Sequence, residues 1–248
     1  LPMETLYRPY AGRSAGAGTP LNILVAAAHP DDEVLGCGAT IAKHAQRGDQ
    51  VHVLVLAEGV TSRDQERDRK KRRQELSALA VAAHRANKIL GASSLRLHDF
   101  PDNRMDSCAL LDIVKVIEAS IRKYNPEVIY THHGGDLNID HRRVHEAVVT
   151  AGRPLPGRVA PRLLFFEVAS STEWQTPGSG ATFAPTWYVD VSLTLPFKIQ
   201  ALEAYQTELR PFPHPRSTAS VEYLARWRGA SVGVSAAEAF VLGRNLVP

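Results

Sequence analysis

The chain predicts a three-layer α/β/α fold on a mainly parallel sheet, and three observations predict it. Apolar runs of strand length alternate with helical stretches at the spacing of βαβ units, beginning with Leu21–Ala28 and Val34–Arg47. The length, 248 residues with 44% hydrophobic and 22% charged content, suits one large domain with a real core. An imidazole and three carboxylates crowd into His29-Pro30-Asp31-Asp32-Glu33, where the first strand gives way to a helix. In an open α/β sheet that edge gathers ligands and catalytic groups.

In order, Leu21–Ala28 reads as a buried strand and Val34–Arg47 as a helix stopped by Gly48-Asp49. Val51–Ala57 alternates and is β-branched, a second strand. After a loop at Glu58–Asp64, Gln65–Leu90 reads as one long helix closed by Gly91. A short strand at Leu95–Leu97 leads into the polar loop His98–Asp106, then a helix over Leu110–Tyr124 ended by Asn125-Pro126. Val128–Thr131 is a strand, His132–Asp140 a loop and His141–Ala151 a helix. Beyond Gly152, Pro and Gly separate short strands at Leu163–Glu167 and Trp187–Val191 from helices at Leu195–Leu209 and Ser217–Gly229. The expected organisation is a single domain, 3–248, with a Rossmann-like core at 21–152 and a C-terminal extension at 153–248 that caps the sheet edge and completes the pocket.

Bulk properties narrow the function. A net charge of +3 is small for this length and argues against nucleic acid as a partner. The basic stretch Arg67–Arg73 contains Asp68, lacks interleaved aromatics and fits the solvated face of a helix. No apolar run approaches the roughly 20 residues of a transmembrane segment. The first twenty residues lack the apolar stretch of a signal peptide, and Leu1-Pro2 ahead of Met3 reads as an expression remnant. Cys37 and Cys108 stand far apart, without a disulfide or thiolate-site pattern, so a cytoplasmic location is expected. Gly36 and Gly38 make no dinucleotide fingerprint, because a third glycine is missing and carboxylates stand where a pyrophosphate would sit. Cys37 reads as packing.

Carboxylates beside a buried strand need water or a cation. A second cluster, Asp136-Leu137-Asn138-Ile139-Asp140-His141, also lies at a strand-to-helix junction. In a parallel sheet both junctions share an edge, so His29, Asp32 and His141 can converge with Asp31 beside them. Two imidazoles and a carboxylate with a fourth position open is the arrangement of catalytic zinc, and iron, manganese or cobalt suits a similar site. Taken singly, His141 is an ordinary helix residue, Asp140 an N-cap, and Asp31-Asp32 a cap with a first-turn acid. The compound pattern favours the metal reading.

These segments resemble the PIG-L/LmbE-like family of zinc-dependent N-deacetylases. The match runs through Ala28–Gly38, the loop Phe100–Asp106, Gly135–Arg142, Pro213-His214-Pro215-Arg216-Ser217, Ala225–Gly229 and Ala237–Phe240. The resemblance implies His29, Asp32 and His141 as Zn2+ ligands (Fe2+, Mn2+ or Co2+ as substitutes) and Asp31 as general base. It implies a small-molecule substrate, an N-acetylated amino sugar or glycoconjugate, hydrolysed to acetate and a free amine. Several members carry His three residues before the last ligand, where this chain has Asn138. The proton for the leaving amine is therefore expected from Asp31 or from another imidazole, with His214 preferred and His132 and His133 as rivals. Arg63, Asp102, Arg104, His133 and Asn138 are the expected substrate contacts. A homo-oligomer stays open, since some relatives deliver a C-terminal histidine across a subunit boundary. The alternatives are an O-deacetylase or other amidase, and a metal- or sugar-binding protein without turnover; an unliganded Asp31 argues against the last.

Overall fold

The computed structural model describes residues 19–155 and 159–247; the reading of Leu1-Pro2 and Met3 lies outside the described residues. Strand β1 (Asn22–Ala27) is followed by α1 (Asp32–Gln46), β2 (Gln50–Ala57), α2 (Arg73–Leu90), β3 (Ser94–Phe100), α3 (Leu110–Tyr124), β4 (Val128–His132), α4 (Ile139–Ala151) and β5 (Arg162–Phe166). Then come β6 (Trp187–Asp190), α5 (Leu195–Glu203), α6 (Thr218–Ala230) and β7 (Ala237–Arg244). One seven-stranded sheet has the order β3-β2-β1-β4-β5-β7-β6. The first five strands run parallel, and β7 pairs antiparallel with both β5 and β6. This is a Rossmann-like three-layer architecture.

Alternation along the strands divides the core. Ile23, Val25, Val51, Val53 and Val55 face one cluster with Ile41 of α1, Leu79 of α2 and Leu202 of α5. Leu24, Ala26, Leu54 and Leu56 face the other, with Ile113 and Ile117 of α3 and Val144 and Val148 of α4. Both faces are therefore covered, which is why β1 and β4 are apolar runs rather than half-polar ones.

Three sequence expectations change. The long helix over Gln65–Leu90 begins only at Arg73. Asp68 Oδ1 accepts the Lys70 and Lys71 N–H groups at 3.0 Å each and turns the chain. Glu58 holds Arg67 and Arg69, and Asp64 holds Lys71 and Arg72. The basic stretch is thus an ion-paired loop, not a helix face. The helix over Leu195–Leu209 stops at Glu203, and Tyr205 beyond it is buried with its hydroxyl on Glu33 at 2.6 Å. The C-terminal extension does more than cap the sheet: β6 and β7 join it as strands.

Helix α1 is broken at Cys37 (φ −149°, ψ 26°). The Ala39 and Thr40 N–H groups at the break donate to Glu238 of β7, at 3.1 and 2.6 Å. Lys198 of α5 bonds the Leu35 carbonyl at 2.7 Å and Glu238 at 2.6 Å. A buried Lys–Glu pair therefore supplies what the helix ladder loses there. Gly36 is required at this spot, because a Cβ would lie 2.3 Å from the Phe166 ring.

Candidate metal and catalytic centre

β1 and β4 are adjacent and parallel, so the turns leaving them open at one sheet edge. Leaving β1, Asp31 adopts φ 110°, a left-handed value uncommon for a residue with a side chain. The turn is held by the Asp31 N–H, which donates to Glu33 Oε2 at 3.1 Å. Asn87 Nδ2 (2.9 Å) and the Tyr205 hydroxyl (2.6 Å) fix Glu33 Oε1 in turn. This geometry separates two consecutive carboxylates. Asp32 turns into the protein, fully buried, while Asp31 lines a pocket of about 180 Å³.

Asp32 Oδ2 accepts the His29 N–H at 2.8 Å and lies 3.2 Å from both His29 Nδ1 and His141 Nε2. The ligand-type atoms of His29, Asp32 and His141 all fall within 4.8 Å of one another. Asp32 Oδ1 and His141 Nε2 are buried with no hydrogen-bond partner among the described residues. Buried polar atoms are nearly always paired, so these two orphans in one cluster fit a cation. The donor set, two imidazoles and a carboxylate, suits a divalent ion of the zinc type.

Carboxylates aim the outer ring edges. His29 Nε2 is 3.0 Å from Asp140 Oδ2 and 3.3 Å from Asp102 Oδ1. His29, Asp102 and Asp140 form a second compact group, but those oxygens are already engaged. Asp140 accepts the Asn103 and Met105 N–H groups at 2.7 and 2.9 Å. Asp102 accepts the Ser62 N–H and Asn103 Nδ2, each at 3.0 Å. They orient His29, as carboxylates do behind metal-ligating imidazoles. His141 Nδ1 meets Asp136 Oδ1 at 3.1 Å, and Asp136 is held by the Ser171 and Thr172 hydroxyls. His132 stacks on His141 at 4.0 Å and accepts the Ala28 N–H at 2.8 Å, tying the two loops together.

Electrostatics follow from burial opposed by these pairs. Burial alone would depress His141, yet Asp32 and Asp136 raise it to about 9. Burial would raise Asp32, yet His141 and His29 hold it well below the usual carboxylate range. Asp31 goes the other way: burial pushes it up to about 8 against the pull of Arg216, with Asp32 adding to the rise.

The structure brings His29, Asp31, Asp32 and His141 to one place and puts Arg63 and Asn138 on the pocket wall. Arg63 is paired with Glu208 at 2.8 Å. Asn138 caps α4, accepting the Asp140 N–H at 2.8 Å, so Asp140 is the hub behind His29 rather than the cap. Asp102 also reaches the wall, with its oxygens on Ser62 and Asn103. Arg104 is not among the lining residues; its guanidinium bonds the Gln65 carbonyl at 2.5 Å. His133 bonds the Ala181 carbonyl at 2.8 Å and packs edge-on to Phe183. His214 does not line the pocket either: its Nδ1 accepts the Arg216 N–H at 3.0 Å and its ring meets Trp174. The side chain that arrives from that segment is Arg216, with Nη1 3.3 Å from Asp31 Oδ2 and Nε 2.6 Å from Ser170 Oγ. Arg216 lies two residues after His214, the residue the sequence pointed to in this segment. Asp136 and Asp140, five and one residues before His141, were missed as orienting groups, though a metal-ligating imidazole calls for such partners.

Fold and site define a Rossmann-like α/β protein with a His/Asp group able to hold a metal ion at the carboxyl edge of its sheet. The chain belongs to the PIG-L family: the family described as GlcNAc-PI de-N-acetylase matches residues 24–152. It is 30% identical over 174 residues to the uncharacterized deacetylase YaiS of Escherichia coli K12, covering 68% of this chain and 81% of that one. It is 26% identical over 215 residues to a probable N-acetyl-alpha-D-glucosaminyl L-malate deacetylase of Bacillus anthracis, covering 83% and 92%. Among solved structures it resembles the N,N'-diacetylchitobiose deacetylase of Pyrococcus horikoshii, with a TM-score of 0.69 at 17% identity, covering 88% and 82%. That last likeness concerns the fold.

Proposed function

We propose that this protein is a metal-dependent hydrolase that removes the N-acetyl group from an N-acetylated amino sugar or glycoconjugate, releasing acetate and a free amine. The observation that carries the reading is Asp31, a second carboxylate beside the cation centre that belongs to no ligand set and faces the pocket. A site built only to bind has no use for it. His29, Asp32 and His141 would hold the ion, zinc by preference. When bound, such an ion supplies Lewis acidity that acidifies water and polarises an acyl oxygen.

This chain's own residues do the rest. Asp31 takes the proton from the attacking water as the new C–O bond forms, and returns it to the nitrogen as the C–N bond breaks. One carboxyl serving both steps answers the lack of an imidazole at Asn138, and the pocket lining favours it over His214. Arg216 holds Asp31 Oδ2, while Asp136 and Asp140 keep the imidazoles in orientation. Ser62, Arg63, Asn103 and Asn138 offer hydroxyl, guanidinium and amide groups to sugar hydroxyls. A cytoplasmic location is consistent with two free cysteines, and no helix of the described residues is long and apolar enough to cross a membrane.

The test is acetate and free-amine release from paired N-acetyl and O-acetyl sugars by zinc-loaded protein. Release from the N-acetyl member is expected. Turnover confined to the O-acetyl member would replace the amide with an ester as substrate, and turnover of neither would remove the reading.

A further inference from the structure

Glu208 lies on the wall of the catalytic pocket and takes no part in the hydrolysis itself. Its side chain is 13% exposed, and both of its oxygens accept from Arg63 Nη2, at 2.8 and 3.0 Å. We propose that Glu208 is a specificity-determining residue, which cancels the Arg63 charge and so selects an uncharged acetylated sugar over its sulfated, phosphorylated or carboxylated forms. This rests on the deacetylase reading above and adds the charge class of the substrate.

The contact is built from both sides. Val60, a β-branched residue, takes φ 59° and opens the short 3-10 turn Thr61–Arg63. Such a residue is rarely held in the left-handed region, and strain of this kind collects at working sites. On the other side, Glu208 belongs to the turn after α5, where its N–H bonds the Tyr205 carbonyl at 2.9 Å. Tyr205 is itself buried and tied to Glu33 at 2.6 Å, which anchors the turn.

A free guanidinium on a pocket wall is the usual means of holding a phosphate, sulfate or carboxylate. Here that means is already used. Arg63 Nη2 sits on Glu208, and Glu75 Oε2 stands 3.6 Å from Arg63 Nη1. Arg216, the other arginine on the wall, meets Asp31 at 3.3 Å, and Asp32, Glu208 and Glu173 also hold its charge. Among the described residues, no lining arginine is left without a carboxylate. Asp102 adds a further acid to the wall. A divalent ion at the triad would not reverse this balance. Asp32, Asp136 and Asp140 all stand against its imidazoles, three negative charges to the ion's two. An anionic substituent would lose water and gain no free cation. A hydroxyl fares better, because the Arg63–Glu208 pair offers it a donor and an acceptor together.

The test compares zinc-loaded wild type, Glu208→Gln and the double variant Arg63→Ala/Glu208→Gln. The substrates are N-acetylglucosamine, its 6-sulfate and its 1-phosphate, each read by acetate release. Wild type should favour the uncharged sugar about tenfold in kcat/KM. Glu208→Gln keeps the shape and frees Arg63. It should raise the anionic-to-neutral ratio about tenfold for at least one anion, the worth of a charge-assisted hydrogen bond from a partly exposed guanidinium. Removing Arg63 as well should return that ratio to the wild-type value. A wild type that favours an anion or does not discriminate would overturn the proposal. So would ratios unmoved in Glu208→Gln, or a gain that survives the loss of Arg63. Acetate release from none of the three sugars would sink the deacetylase reading alone. Calorimetric binding of the same sugars then decides: the same shifts in the ratio of Kd values support the role of Glu208, and unmoved ratios overturn it.

Discussion

The two halves of the sheet reach the site by different routes. In the parallel half, β3-β2-β1-β4-β5, each strand hands its next residues to a single edge. His29–Asp32 and Asp136–His141 therefore meet as a consequence of topology. The antiparallel half, β7 and β6 with α5 and α6, adds nothing to the His/Asp triad. It supplies Arg216 at Asp31, 185 residues away, Tyr205 at Glu33, 172 residues away, and Glu238 at Thr40, 198 residues away. On the proposed function, the chemistry comes from short local motifs, and the contacts that brace them come from long range.

If that division holds, damage to the two halves should look different. The largest effect is expected from His141→Ala, which removes a member of the triad. Metal content, read by atomic spectroscopy, should fall from near one ion per chain to background, and acetate release should go with it. A variant that keeps its ion would break the triad. Arg216→Ala, on the antiparallel side, should keep the ion. It should lower kcat by roughly 10- to 100-fold, the worth of about 1.5–3 kcal/mol for a hydrogen bond to a charged group. Arg216→Lys should restore part of that loss. Loss of metal in Arg216→Ala would erase the distinction between the halves. The smallest effect on chemistry is expected from Glu238→Ala. It leaves Lys198 buried without its acid and the Ala39 and Thr40 N–H groups unpaired. A stability loss of about 3–5 kcal/mol is expected by denaturant titration, with kcat of the folded fraction little changed. An unaltered midpoint would mean that the break in α1 needs no brace.

The same division explains what could be read from the amino-acid order. The parallel architecture and the helix at Leu110–Tyr124 follow from local periodicity, and the structure agrees with both. The triad residues could be proposed together because a parallel sheet brings consecutive strand ends to one edge. Arg216 was not legible, because nothing at Pro213–Ser217 says which side chain faces Asp31; that depends on Ser170 at a left-handed φ 46 residues away. The start of α2 was misread for a related reason. Arg67–Arg72 has helix-compatible residues, but Glu58 and Asp64 claim their charges across a loop, and Asp68 bends the backbone locally. Strand β7 was hidden because Ala237–Arg244 carries Glu238 at a buried position, and a buried acid signals a strand only once Lys198 and the break in α1 are known.

The central claim is that Asp31 does chemistry while its neighbour Asp32 holds the ion. Asp31→Asn, assayed in one preparation for zinc content and for acetate release from an N-acetyl sugar, tests it most directly. The account predicts about one zinc per chain, as in wild type, with turnover reduced by roughly 10²- to 10⁴-fold, the range for a lost general acid–base group. Undiminished turnover, or loss of the zinc together with the activity, would contradict it.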